Sequence, residues 1–290
     1  MSKLAIFEIL REFYVTVLLP SYCKSNTLMN KNTILFLTLF GTLLIGCKPD
    51  EDKPTNQQPA PTQSITPPEN FRGLFFSLNG TLNLSFQHTF GNSTFQLAPT
   101  QFITNANDTL VFTDLVYYVS HIRLTRADGS ILNLQNNHLL NHQTGRTSFT
   151  VNVPQGHYTK LDLLLGVDSV NNHSGMQEGD LDPANGMFWT WNTGYIFYRI
   201  KGRHGTANTA FVYDVGGLQN LVNISIDLNA YQVNKTAISC TLKHDVAAFF
   251  NTPNMLNLRQ ITNQVHTATS PILPTITANM RQMITIQSIQ

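Results

Sequence analysis

The chain has 290 residues, a formal net charge of +1 and only 12% charged residues. So few charges leave no basic face for a nucleic acid, whose backbone is gripped through many Lys and Arg contacts. Hydrophobic residues make up 42% of the chain, enough for a sizeable core. The three cysteines, Cys23, Cys47 and Cys240, form no paired framework and no metal-type CxxC, so the fold must stand without disulfide staples.

In chain order, the first feature is an address. Residues 33–46 read TILFLTLFGTLLIG, without a charge, with Lys31 upstream and Cys47 directly after. A basic start, a short apolar run and a small residue before the cut site make a secretory signal, and the run is too short to span a membrane comfortably. Leu44-Ile45-Gly46-Cys47 resembles a bacterial lipobox, in which the cysteine is lipidated and becomes the new N-terminus. Acyl chains contribute about 0.8 kcal/mol per buried CH₂, so a multiply acylated Cys47 anchors the protein stably. Residues 1–28 carry Glu8, Arg11 and Glu12 ahead of this signal and do not fit it. We expect translation to start at Met29, leaving 1–28 as a mis-assigned extension and 29–47 as a lipoprotein signal peptide. Residues 48–70 hold six prolines, with Ala60 and Ile65 the only apolar side chains, and read as a disordered tether. Lys48 is not the aspartate linked to inner-membrane retention, so the expected address is the outer membrane.

From residue 71 the pattern has period two. GTLNLSFQHTF sets Leu82, Leu84, Phe86 and His88 on one face against Thr81, Asn83, Ser85 and Gln87. TLVFTDLVYYVSHIRLTRADGSILNL reads as two strands joined at Asp128-Gly129. HYTKLDLLLGVD, YIFYRIKGR, NTAFVYDVGG and LVNISIDLN add four more. Near the C-terminus, Ser270-Pro271 reads as a helix start, followed by Ile272, Leu273, Ile276, Met280, Met283 and Ile284 at helical spacing. The expectation is one all-β domain over 71–290: an antiparallel β-sandwich, Greek-key or jelly-roll-like, with a short C-terminal helix.

Enzymatic signatures are lacking. There is no GxSxG, P-loop, GxGxxG or HExxH, and the acids are too scattered to mark a glycosidase pair. The reading is therefore a non-enzymatic protein. Glu178-Gly179-Asp180-Leu181-Asp182 lacks calcium-loop spacing and reads as a solvated turn. Cys240 reads as a buried bystander. The nine histidines show no HxH or HxxH spacing. His88 stands out because it continues an inward-facing apolar phase, where an imidazole needs a hydrogen bond or a metal. His266 lies on the loop before the last helix. The segment DPANGMFWTWNTGY holds both tryptophans, Trp189 and Trp191, at i and i+2; on spacing alone they share a face and cap the core.

Several blocks, in order, carry a resemblance: GTLNLSFQHTFG, LVFTDLVYYVSHIRLTRADG, LDLLLGVDS followed by GDLDPANGMFWTWNTGYIFYRIKG, then FVYDVGG and ITANMRQMITI. Over about residues 79–287 the chain resembles the MbnP-like copper-binding proteins, the periplasmic or lipid-anchored partners of MauG-like di-haem enzymes. The resemblance implies a secreted β-rich protein, a monomer, that binds one copper ion. It also implies a tryptophan, Trp189 or Trp191, oxidised to kynurenine by the di-haem partner. The implied metal residues are His88, His266 and Asp214. Relatives commonly carry histidine at the position of Asp214, and a carboxylate is a poorer ligand for copper. The alternative is a cell-surface β-sandwich lipoprotein that binds a glycan or a protein partner without metal, with an exposed tryptophan as a stacking platform.

Overall fold

The computed structural model describes residues 80–175, 177–190, 192–228 and 237–290. The expected extension, signal peptide, lipidation site at Cys47 and tether lie outside the described residues, as does Trp191. The strands are β1 (Gly80–Phe90), β2 (Ser93–Thr94), β3 (Phe102–Ile103), β4 (Thr109–Arg126), β5 (Ile131–Asn141), β6 (Ser148–Val153) and β7 (Tyr158–Leu165). They continue as β8 (Phe188–Thr190), β9 (Gly194–His204), β10 (Thr209–Gly216), β11 (Val222–Asp227), β12 (Ala237–Asp245), β13 (Gln264–Val265) and β14 (Ile284–Ile289). Among the described residues, three short α-helices accompany them: α1 (Ser169–Asn172), α2 (Val246–Asn251) and α3 (Leu273–Met280).

The expected β-sandwich is what forms. One sheet runs β14-β12-β1-β2, with β6 also on β1; the other runs β11-β7-β4-β9-β10-β13, with β3 and β5 on β4 and β8 on β9. One feature departs from the antiparallel expectation. β1 and β12 pair in parallel, Leu82 to Ile238 through His88 to His244, and the short β13 is parallel to β10. A parallel pair needs a long crossover, and here nearly the whole domain lies between the partners.

The alternation seen in the sequence decides the layers. Leu82, Leu84 and Phe86 of β1, with Ile238, Cys240 and Leu242 of β12, pack against Leu115, Tyr117 and Val119 of β4 and Tyr198 and Ile200 of β9. This is the core between the sheets. The nine-stranded sheet also buries its far face: Val116, Tyr118, Tyr195 and Phe197 gather there with Met187 and Leu181 from the 166–190 connection. That second layer explains why YIFYRI reads as an almost unbroken apolar run. Both of its faces are covered.

The β4–β5 hairpin turns at Asp128-Gly129 as expected, with Gly129 at φ 83° and Asp128 Oδ1 accepting from Ser130 N–H at 2.8 Å. The C-terminal helix is shorter than its periodicity suggests. It covers Leu273–Met280 with Ile272 at the N-cap, while Ser270 only opens a turn and Ile284 begins β14. Pro274, at the start of the helix, needs no N–H partner there, and the helix begins two residues later than Ser270-Pro271 implied. Cys240 is buried, and burial pushes its thiol up to about 12, which leaves it inert at neutral pH.

Candidate metal centre

The core narrows to a polar pocket where β1 and β12 end. Each strand carries three alternating apolar residues and then a histidine, and the parallel register sets His88 opposite His244. Both are buried, at 4% and 0% exposure. Their rings lie 5.0 Å apart. His142, half-buried on the turn after β5, comes in from the side: its Nδ1 is 2.9 Å from His88 Nδ1. Two buried phenols complete the cluster. Tyr117 O–H lies 2.9 Å from His88 Nε2, and Tyr198 O–H lies 3.2 Å from His244 Nε2. The phenols stack on one another with centroids 5.5 Å apart, and Phe95 walls His88 and His142.

The electrostatics follow from burial. Desolvation, then the neighbouring His142, lowers the pKa of His88 to about 3. His244 is driven well below its ordinary value by desolvation, then by His88 and His142. Desolvation lowers His142 as well. All three imidazoles are therefore neutral at pH 7, each with one nitrogen that can accept a hydrogen bond or ligate. Two Nδ1 atoms at 2.9 Å share one proton between them. His244 Nδ1 is buried and makes no hydrogen bond. The donors do not converge on one point: among the described residues, no trio of His, Cys, Asp or Glu is preset around a metal position.

The other residues singled out in the sequence lie on the opposite face of the nine-stranded sheet. Asp214 follows Tyr213 on β10; the tyrosine packs into the core, so the carboxylate points away from it. It is buried and doubly held by Arg199, with Oδ1 2.7 Å from Nε and Oδ2 3.3 Å from Nη2. His266 joins it, Nδ1 to Oδ2 at 3.2 Å, and its Nε2 faces Gln264 Oε1 at 3.3 Å. Trp189 lies half-buried against the outer layer. Its seat is Gly216, where a Cβ would stand 2.7 Å from Trp189 Cζ3 and 2.6 Å from Tyr195 O. The fold thus gathers Trp189, Asp214 and His266 around one outer patch and places His88 elsewhere, among histidines that spacing alone did not select. The acidic string forms a turn: Asp180 pairs with Arg146, and Asp182 caps the Pro183–Asn185 turn through Ala184 N–H.

A family model, MbnP, matches residues 79–269, more than half of the chain. The chain belongs to the MbnP family. The matched span contains both the histidine pocket and the Trp189 patch. Among solved structures, MbnP from Methylosinus trichosporium is similar at 15% sequence identity, covering 59% of this chain and 77% of that one, with a TM-score of 0.44. No curated protein matches the chain. Within this MbnP-family fold, His142 and His244 are the pocket residues that sequence reading missed. The signal for His244 was present: Ile238, Cys240, Leu242, His244 repeats the phase of Leu82, Leu84, Phe86, His88.

Proposed function

We propose that this MbnP-family protein is exported, lipid-anchored through Cys47 at the outer membrane, and holds one copper ion with His88, His142 and His244. It is a binding protein rather than a catalyst. The observation that carries this reading is three neutral imidazoles in one aromatic-walled pocket, one with an unsatisfied buried nitrogen. The donor set fits. Imidazole suits both oxidation states of copper, and the pocket offers no carboxylate to favour a hard cation. For both Nδ1 atoms to face the metal, the ring that carries the shared proton on Nδ1 would have to hold it on Nε2 instead. To hold copper between them, these two atoms would have to move apart from their 2.9 Å contact. His142 can give way because it sits on a partly exposed turn. His244, whose buried Nδ1 makes no hydrogen bond, would be the third donor. Tyr117 and Tyr198 hold the two buried rings from their Nε2 atoms, the outer-shell role that fixes a ligand's orientation.

The outer patch supports a separate step. Trp189 is the described tryptophan, and it lies on the face that a MauG-like di-haem partner could approach, so it is the proposed site of oxidation to kynurenine. As a copper site the patch fits poorly, because Arg199 already neutralises Asp214 and both nitrogens of His266 face oxygen atoms.

Copper titration of the purified protein tests the reading, with mass analysis of the 182–199 peptide from native material. The expected result is one copper per chain, lost in His88→Ala and His244→Ala and kept in His266→Ala. No copper binding, or binding that depends on His266 and not on His88, overturns the copper assignment. An unmodified Trp189 in native material overturns the oxidation step alone.

A further inference from the structure

A third place in the molecule belongs to neither of these. Beyond the outer layer, the far face of β11, β7, β4 and β5 is open and carries a cavity of ≈ 310 Å³ lined by His121, Arg123, Asn133, Asp162 and Asn223, among others. Its rim is built on a bulge. His121 sits at φ 48° in the middle of β4, and the pairing of β4 slips around it against both β5 and β7. A left-handed conformation at a non-glycine residue inside a doubly paired strand is unfavourable, and bulges of this kind re-aim a side chain. Here Val119, Ile122 and Leu124 all stay in the core, so two consecutive residues, Ser120 and His121, face away from it. Beside the bulge, Arg123 stands opposite Asn133 on one side and Asp162 on the other.

The charges lining the cavity are paired off. Arg123 donates to Asp162 at 3.0 and 2.9 Å, Lys160 meets the same carboxylate at 2.9 Å, and His121 meets Asp168 at 3.2 Å. No lone cation awaits an anion, and no lone carboxylate awaits a cation. What remains free is hydrogen bonding. Asn133 and Asn223 are exposed, and each carries an amide with two donors and an acceptor that the fold does not use. Arg123 has N–H groups to spare beyond the two bonds to Asp162. Planar groups that donate and accept side by side match adjacent hydroxyls on a ring. The volume lies at the lower end of small-molecule sites, roughly 300–1,000 Å³.

We propose that this cavity binds a neutral saccharide of one or two rings, independently of the copper reading. Isotope-labelled, metal-free protein titrated with glucose, galactose, N-acetylglucosamine and cellobiose tests it, read from the side-chain amide signals of Asn133 and Asn223. At least one sugar should shift both signals to saturation. Asn133→Ala and Asn223→Ala change exposed residues without protein partners, so both variants fold, and each should weaken binding about fivefold, the loss of one hydrogen bond. Folded protein whose amide signals respond to none of the four sugars overturns the proposal. So do equal shifts from sodium acetate, which mark an anion site, or unchanged affinity in both variants.

Discussion

The two faces of one sheet treat their polar groups in opposite ways. On the core side, His88, His142 and His244 sit with phenols and no formal charge, and burial keeps them neutral. On the outer side, Asp214 is equally buried, yet it is held by a guanidinium and by His266. Both solutions satisfy the rule that buried polar groups need partners. Only one leaves lone pairs available. A carboxylate locked by Arg199 has spent its acceptors on structure, whereas each neutral imidazole keeps one lone-pair nitrogen and can change which nitrogen that is.

That contrast can be broken most forcefully at Asp214. Asp214→Ala strands Arg199, itself only 15% exposed, and should destabilise the protein by about 3 kcal/mol, the usual result of removing one partner of a buried pair. Urea unfolding measures it; a loss under about 1 kcal/mol would show that the pair is screened and the patch looser than its geometry. The next largest effect lies in the pocket. His88→Ala, which removes a proposed ligand, should lower copper affinity by more than the roughly 10–100-fold that outer-shell changes produce, while Tyr117→Phe should fall within that range. Competition with a copper chelator reads both, and equal effects of the two variants would mean that His88 is not a ligand.

pH separates the faces further. The folded pKa of His88 is depressed to about 3, below the ordinary histidine value of 6.5. Between these values the unfolded chain takes up a proton that the folded protein refuses. Stability of the metal-free protein is therefore complete above pH 6.5 and falls as pH drops toward 3. The slope approaches about 1.4 kcal/mol per pH unit for each histidine that stays neutral. A urea midpoint that holds steady from pH 7 to pH 4 would contradict the buried, neutral state. The smallest effect is expected at His266→Ala. Its side chain is 53% exposed, so its contact with Asp214 should contribute under about 1 kcal/mol, and less at high salt. A larger loss would make His266 a structural partner of Asp214 on the scale of Arg199.

Much of the architecture was legible because strands with one buried face announce themselves by alternation. β1, β7, β10, β11 and the β4–β5 hairpin could be read this way, and so could the inward aim of His88. The pocket could not be assembled, because its members come from β1, β12 and the turn after β5, and no spacing rule links residues 88, 142 and 244. A parallel pairing across so long a separation leaves no local trace in the chain. The outer patch was read in part: the resemblance selected Trp189, Asp214 and His266, but only the fold reveals that Arg199 lies opposite Asp214 in the β9–β10 ladder. The bulge at His121 was hidden for another reason. The run YYVSHIRL keeps a plausible alternation whether or not one residue is skipped.

The pairing of β1 with β12 also sets an order in time. Ser85 and Thr241, hydrogen-bonded at 3.1 Å, lie 156 residues apart, so the first strand of the domain waits for one of the last. Contacts of such long range make folding slow, because loop closure must come before the contacts that reward it. A chain still emerging, or threaded unfolded through a membrane channel, has His88 but no His244 beside it. The histidine pocket is therefore a property of the finished domain, and a partly made chain cannot assemble it.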